Sequence, residues 1–226
     1  MKSSKLAVRI VTGFVKLTGM IPALLFFKYK LYFQNKKSQG RRLPSPCILV
    51  SNHKSLMDFV LYLVVFPFRT IRFLMAEVLY NKGAFFGKFL SLLGGIKVDR
   101  DNYDFGFVGE SLEVLDDNGT VGIFPEGRLP VNGVPWPFKP SVVYIALRTD
   151  APIVPIYTDG NYGIFKRTHV MIGEKIYIKD YCREEDPSPE ELDRLTKLLQ
   201  EKVFSLGDEL NRAVNGSNGE KDVTAE

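Results

Sequence analysis

Beyond residue 46 the apolar positions follow two rhythms in turn. Short runs rich in branched aliphatic residues, CILVS (47–51), TIRFLMA (70–76), GIKVD (95–99), TVGIF (120–124), PIVPIY (152–157) and THVMIG (168–173), predict strands. Between them, segments 56–66, 84–93, 103–117 and 140–148 space their apolar residues three and four apart and predict helices. This alternation specifies a single α/β sandwich domain with a mostly parallel or mixed sheet. A final helix opens at SPEE, with Ser188 as N-cap, Pro189 at its first position and Glu191 completing a capping box, and runs to about Val214. Residues 215–226 carry no apolar periodicity and are expected to form a disordered tail.

The first 40 residues follow a different pattern. Segments 5–19 and 21–33 are each amphipathic, and Gly19 and Pro22 punctuate the boundary between them. At about 1.5 Å per residue, neither half crosses a hydrocarbon core of roughly 30 Å. The reading is a two-helix membrane-interfacial motif over residues 1–40, with Lys16, Lys28 and Lys30 reaching lipid headgroups. The linker RRLPSP (41–46) then leads into a body spanning 41–214. A signal peptide fits poorly, because no small-residue cleavage site follows ALLFF.

Charge sharpens this picture. The chain of 226 residues has a net charge of +4, yet residues 1–42 hold ten basic residues and no acidic one. The remainder carries 20 basic against 26 acidic residues, so a positive arm precedes a mildly acidic body. A basic arm suits nucleic acid or an anionic membrane surface. The interleaved Leu6, Ile10, Phe14 and Leu17, followed by PALLFF, favour the membrane and exclude nucleic acid. Cys47 and Cys182 are far apart, match no metal or redox spacing, and suggest a reducing compartment. No metal site is expected.

Candidate chemistry begins at SNHKSLMD. Asp58 is the first acidic residue in the chain and stands five positions after His53, one of only two histidines. Ser55 and Asp58 also fit a structural capping box. That reading leaves His53 unexplained, at a strand end where α/β sheets present ligand sites. One helical turn brings Asp58 to the imidazole, where it would fix the tautomer and leave the other ring nitrogen as a base. No G-x-S-x-G elbow supplies a nucleophile, so the attacking group is a substrate hydroxyl or water. VGIFPEGRLP repeats the strand-end arrangement: Gly127 permits a tight turn, and Arg128 offers a fork for phosphate. GGIKVDRD adds Lys97 and Arg100. GAFFGK lacks the spacing and the hydroxyl of a P-loop, and His169 has no acid close in sequence and reads as structural.

Together, Asn52-His53-x4-Asp58, Gly95-Ile96…Arg100, Phe124-Pro125-Glu126-Gly127 with its arginine, and Val154-Pro155-Ile156 resemble the blocks of the glycerolipid acyltransferase family over residues 47–160. The chain departs from the family pattern where Arg128 directly follows Gly127, without the usual intervening threonine. The resemblance implies acyl transfer from an acyl-CoA or acyl carrier protein thioester to the sn-2 hydroxyl of lysophosphatidic acid. His53 would be the base and Asp58 its partner. Lys97, Arg100, Glu126, Gly127 and Arg128 would hold the glycerol phosphate, and amides near His53 or Gly127 the oxyanion. It implies no cofactor, and a peripheral, monotopic place on the cytoplasmic face of the inner membrane. Glycerol-3-phosphate or another lysophospholipid is the alternative acceptor. A non-catalytic membrane lipid-binding protein is the alternative class.

Overall fold

Strand β2 (Cys47–Ser51) buries every one of its side chains, because both of its faces are covered. Ile48 and Val50 point into one core layer, and Cys47 and Leu49 into the other. In the computed structural model, which describes residues 4–37, 39–81, 83–99 and 105–222, β2 is the centre of a seven-stranded sheet. The other strands are β1 (Lys30–Phe33), β3 (Ile71–Ala76), β4 (Ile96–Val98), β5 (Thr120–Ile123), β6 (Ile153–Thr158) and β7 (His169–Ile172), in the order β1-β7-β6-β2-β5-β3-β4. Neighbours are parallel except β6 and β7, so the sheet is mixed.

Helices cover both faces. α1 (Lys5–Phe26), α2 (Asp58–Val65), α3 (Glu77–Tyr80) and α4 (Ala84–Leu92) belong to the side of Leu49. α5 (Gly106–Asp116), α6 (Ser141–Leu147) and α7 (Pro189–Asp222) belong to the side of Ile48. The chain leaves β2 into α2 on one face, and leaves the adjacent β5 toward α6 on the other. The crevice between the carboxyl ends of β2 and β5 is therefore a topological switch point, where such sheets bind ligands.

The six strands and five helices expected in the body are all present, with ends close to those expected except at the carboxyl end of α7. The arm differs. α1 is one continuous helix of 22 residues that includes Pro22, and the second expected helix is absent. Residues 30–33 instead form β1, paired in parallel with β7 from Lys30 opposite His169 to Phe33 opposite Ile172. Pro22 removes one helical hydrogen bond, to the carbonyl of the exposed Thr18, and tertiary packing outweighs that loss. Val8 and Thr12 are buried against the body, and a Cβ at Gly94 would lie 2.9 Å from Val8 Cγ1.

Lys16 does not reach outward. Its ammonium donates to the carbonyls of Phe66 (3.2 Å), Pro67 (3.1 Å) and Arg69, closing the carboxyl end of α2 where a cation is favoured. At the other terminus α7 continues to Asp222, so residues 215–222 are helical where a disordered tail was expected. An established helix extends at one hydrogen bond per added residue. Residues 223–226 lie outside the described residues. The capping box at SPEE is half realised. The Glu191 amide donates to Ser188 Oγ at 3.2 Å, while the Glu191 carboxylate binds the Arg183 amide and Arg194.

Candidate active site

His53 lies in the loop that carries the chain from β2 into α2. Its Nδ1 stands 2.7 Å from Asp58 Oδ2. Asp58 is fully buried at the first position of α2, and the same Oδ2 accepts the amides of Lys54 (2.7 Å) and Ser55 (2.9 Å). The carboxylate thus folds the loop around itself and presents the imidazole at a fixed angle. Its other oxygen accepts the hydroxyl of Tyr162, which comes from the loop after β6. Burial and the adjacent Asp58 charge push the Tyr162 phenol well above the ordinary tyrosine range, so it remains a donor. In the tautomer in which Nδ1 donates to the Asp58 carboxylate, Nε2 carries the lone pair that a general base would use.

The imidazole stacks on the Phe124 ring, with centroids 4.5 Å apart and planes within 17°. Phe124 stacks in turn on Phe73 at 5.6 Å. Asn52 ties β2 to β6 like an added pair of ladder bonds. Its side-chain amide donates to the Thr158 carbonyl and its oxygen accepts the Thr158 amide, both at 2.9 Å.

Glu126 is placed differently from expectation. It is 2% exposed, with Oε1 accepting the His53 amide at 2.9 Å and Oε2 the Trp136 amide at 3.2 Å. Burial raises its pKa, against the lowering effect of those two amides. Its carboxylate braces the loops after β2 and β5, with both oxygens engaged by backbone amides. Gly127 has φ of +69°, the conformation for which glycine is suited. Its amide donates to the Phe124 carbonyl at 2.9 Å. The amides of His53, Lys54, Ser55 and Gly127 are therefore all committed within the turns and are not open to an oxyanion.

The expected cations separate. Lys97 Nζ stands 2.7 Å from Glu77 Oε1 on the edge strand β4. Arg128 is exposed and its guanidinium lies 4.7 Å over the Trp136 ring. Arg100 lies outside the described residues. His169 does have an acidic partner, supplied by the β6–β7 turn: its Nδ1 is 2.7 Å from Asp159 Oδ2.

Two cavities meet at this crevice, and Leu74, Phe124 and Gly127 line both. The smaller, about 130 Å³, runs from His53 past Leu56, Phe59, Met75 and Leu90 and is almost wholly apolar. The larger, about 970 Å³, is lined by β5, α5 and α6; its wall is mainly apolar and carries Lys139 and Arg148 together with Asp99. Sequence reasoning passed over Lys139, although it stands in the PFK that follows the FPEG turn. Its amide donates to the Pro125 carbonyl at 2.9 Å, which holds it beside Gly127. Tyr162 and Trp136 were also missed, and no local spacing marks either.

The family model described as Acyltransferase matches residues 33–159. The chain is 31% identical over 137 residues to human 1-acyl-sn-glycerol-3-phosphate acyltransferase beta, a match covering 58% of this chain and 48% of that protein. It is 29% identical to the coconut 1-acyl-sn-glycerol-3-phosphate acyltransferase, covering 55% of this chain and 41% of that one. The chain thus spans less than half the length of these two relatives. The Bacillus subtilis 1-acyl-sn-glycerol-3-phosphate acyltransferase is 27% identical over 171 residues, 73% of this chain and 83% of its own length. The fold matches the crystal structure of the 1-acyl-sn-glycerophosphate acyltransferase of Thermotoga maritima with a TM-score of 0.56, at 20% identity, covering 89% of this chain and 78% of that one. With more than half of its length matched by the family model, and with the block that carries His53 and Asp58 inside that match, the chain belongs to the Acyltransferase family.

Proposed function

We propose that the protein transfers an acyl group from a thioester to the free hydroxyl of 1-acylglycerol-3-phosphate, giving phosphatidic acid. The observation that carries this reading is the His53–Asp58 pair, which sets the imidazole in the wall of an apolar cavity adjoining a larger one that carries Lys139 and Arg148. His53 Nε2 takes the hydroxyl proton as the oxygen attacks the thioester carbonyl. Asp58 stabilises the imidazolium without itself accepting the proton, and the thiolate leaves with that proton. The substrate hydroxyl is the nucleophile, so no acyl-enzyme forms. The apolar cavity suits part of an acyl chain, and Lys139 and Arg148 in the larger one suit the anionic ends of the substrates. Lys139 and Arg148, which line that cavity with Gly127, join the phosphate role expected of Arg100, which lies outside the described residues. Lys97, Glu126 and Arg128 are engaged with Glu77, the His53 and Trp136 amides, and the Trp136 ring, respectively.

We assign α1 to the surface of the membrane. Its face away from the body exposes Leu6, Ile10, Phe14, Leu17, Ile21 and Leu24, one continuous apolar stripe. By length and composition the helix is able to cross a bilayer. Its opposite face, however, is occupied by the body through Val8, Thr12 and Lys16.

The test is acyl transfer to lysophosphatidic acid by purified protein, with acyl-CoA and acyl carrier protein thioesters as donors and thiol release as the readout. His53→Ala should abolish transfer while the protein stays folded. Transfer at the wild-type rate by that variant would overturn the mechanism. Equal use of glycerol-3-phosphate would overturn the acceptor.

A further inference from the structure

Tight turns are ordinarily built from glycine, proline, asparagine, aspartate and serine, with their tips in water. The loop after β6 breaks this rule. The Lys166 amide donates to the Gly163 carbonyl at 3.1 Å, closing a turn whose two central residues are Ile164 and Phe165. Phe165 is 98% exposed and Ile164 56%. Gly163, with φ of +132°, opens the turn in a conformation that side-chain-bearing residues avoid. Lys166 and Arg167 follow, both exposed. The amide of Lys30 donates to the Thr168 carbonyl at 2.8 Å, so the exposed Lys28 and Lys30 come alongside the same loop.

The stem of the loop is firmly held. His169 clasps Asp159 through its ring and its amide, and Thr168 Oγ1 donates to the Asn161 carbonyl at 2.8 Å. A stiff stem carrying two bulky apolar side chains into solvent has a low ordering cost for insertion. Two further contacts tie the loop to the rest of the enzyme. Tyr162 donates to the Asp58 carboxylate, and its ring packs edge-to-face on Phe27, with centroids 5.4 Å apart. Phe27 is the buried C-cap of α1. The loop tip is thus three residues from a side chain that touches both the interfacial helix and the carboxylate behind the base.

We propose that the Gly163–Lys166 turn is a membrane-docking finger: Ile164 and Phe165 enter the acyl-chain boundary of an anionic bilayer, Lys166 and Arg167 meet lipid phosphates, and the docked loop holds Tyr162 against Asp58. The proposal rests on the reading of α1 as a surface helix, whose end the finger adjoins. Apolar tips flanked by cations match such a surface, since insertion and headgroup attraction add. Tyr162 already supports Asp58 in the undocked fold, and docking brings that supported dyad to the surface where the lipid acceptor arrives.

The experiment uses the full chain. The double variant Ile164→Ser/Phe165→Ser should bind phosphatidylglycerol vesicles about tenfold or more weakly than wild type, since two buried apolar side chains are lost. Its turnover of a short-chain lysophosphatidic acid dispersed below micelle concentration should equal that of wild type. Adding inert phosphatidylglycerol vesicles should raise that turnover in wild type and not in the variant. Lys166→Glu/Arg167→Glu should remove the preference for phosphatidylglycerol over phosphatidylcholine vesicles. As a direct probe, Phe165→Trp should shift its emission to the blue on vesicles and be quenched by brominated lipid. Unchanged vesicle affinity, or no spectral shift, would overturn the finger. Equal loss of dispersed and vesicle-stimulated turnover would show a structural loop. If wild type transfers nothing to lysophosphatidic acid, the functional reading fails, while vesicle affinity and tryptophan emission still decide the finger.

Discussion

Replacing Glu126 with glutamine separates a brace from a substrate ligand. In the native site its two oxygens each accept one backbone amide, that of His53 at 2.9 Å and that of Trp136 at 3.2 Å, in a position 2% exposed. Glutamine keeps the shape and one acceptor oxygen, but its NH₂ group faces the other amide as a second donor. A buried polar group left without a partner costs about 1–3 kcal/mol. At about 2–4 °C per kcal/mol for a chain of this size, Tm should fall by roughly 2–12 °C in a calorimetric scan. Glu126→Ala orphans both amides and should lose roughly twice as much. Because Glu126 holds the His53 backbone, its loss also displaces Nε2, and misplacement of a reacting group by about 1 Å costs up to about 100-fold in rate. The expected signature is a lower kcat with little change in KM for the acceptor. An unchanged Tm with a raised acceptor KM would refute the brace and return Glu126 to the substrate.

Other outcomes follow from the same geometry. Burial lifts Glu126 above its ordinary value of 4.5, so from that pH upward the folded chain retains a proton the unfolded chain releases, and stability falls as pH rises through that window. The stability margin of wild type over Glu126→Gln should therefore shrink with rising pH in denaturant titrations; a growing margin would contradict it. Asp58→Asn should fold but lose about 10³–10⁴ in kcat, since an amide cannot stabilise imidazolium; retention of a tenth of the rate would argue against His53 as base. Tyr162→Phe removes a hydrogen bond to a charged group and should cost about 1.5–3 kcal/mol of stability, with kcat falling and KM holding; an unchanged kcat would uncouple Tyr162 from the dyad. Burial pushes the Cys47 thiol up to about 11, so iodoacetamide at mildly alkaline pH should label Cys182 alone until the protein unfolds; rapid native labelling of both would refute that burial.

The body was legible because each of its elements carries its own rhythm. β2 and β5 are short apolar runs closed by polar turns, and those turns hold the site. His53 and Asp58 were legible because their five-residue spacing is a local geometry, closed by one loop around one carboxylate. Contacts made by the fold across long sequence distances were not. Tyr162 reaches Asp58 across 104 residues, once β6 is in place, whereas Trp136 is only ten residues from Glu126 but reaches it through a backbone amide that no side-chain pattern marks. The second arm helix failed for the same reason. KLYF reads as amphipathic in isolation, and only pairing with β7 makes it a strand. Glu126 stood in the expected motif, but its burial, which no motif records, decides its role.

β1 also bears on the order in which the protein is made. It is synthesised before every other strand of the sheet, yet its partner β7 is the last of the seven to emerge. The edge formed by β1 and β7 is the most non-local pairing in the sheet, and pairings of that kind close late. α1, which immediately precedes β1, is available to a bilayer throughout that interval. The growing chain therefore has the opportunity to settle on lipid before its sheet is complete. Truncation past Phe33 would do more than remove α1: it would leave β7 as a bare edge, open to pairing with another molecule.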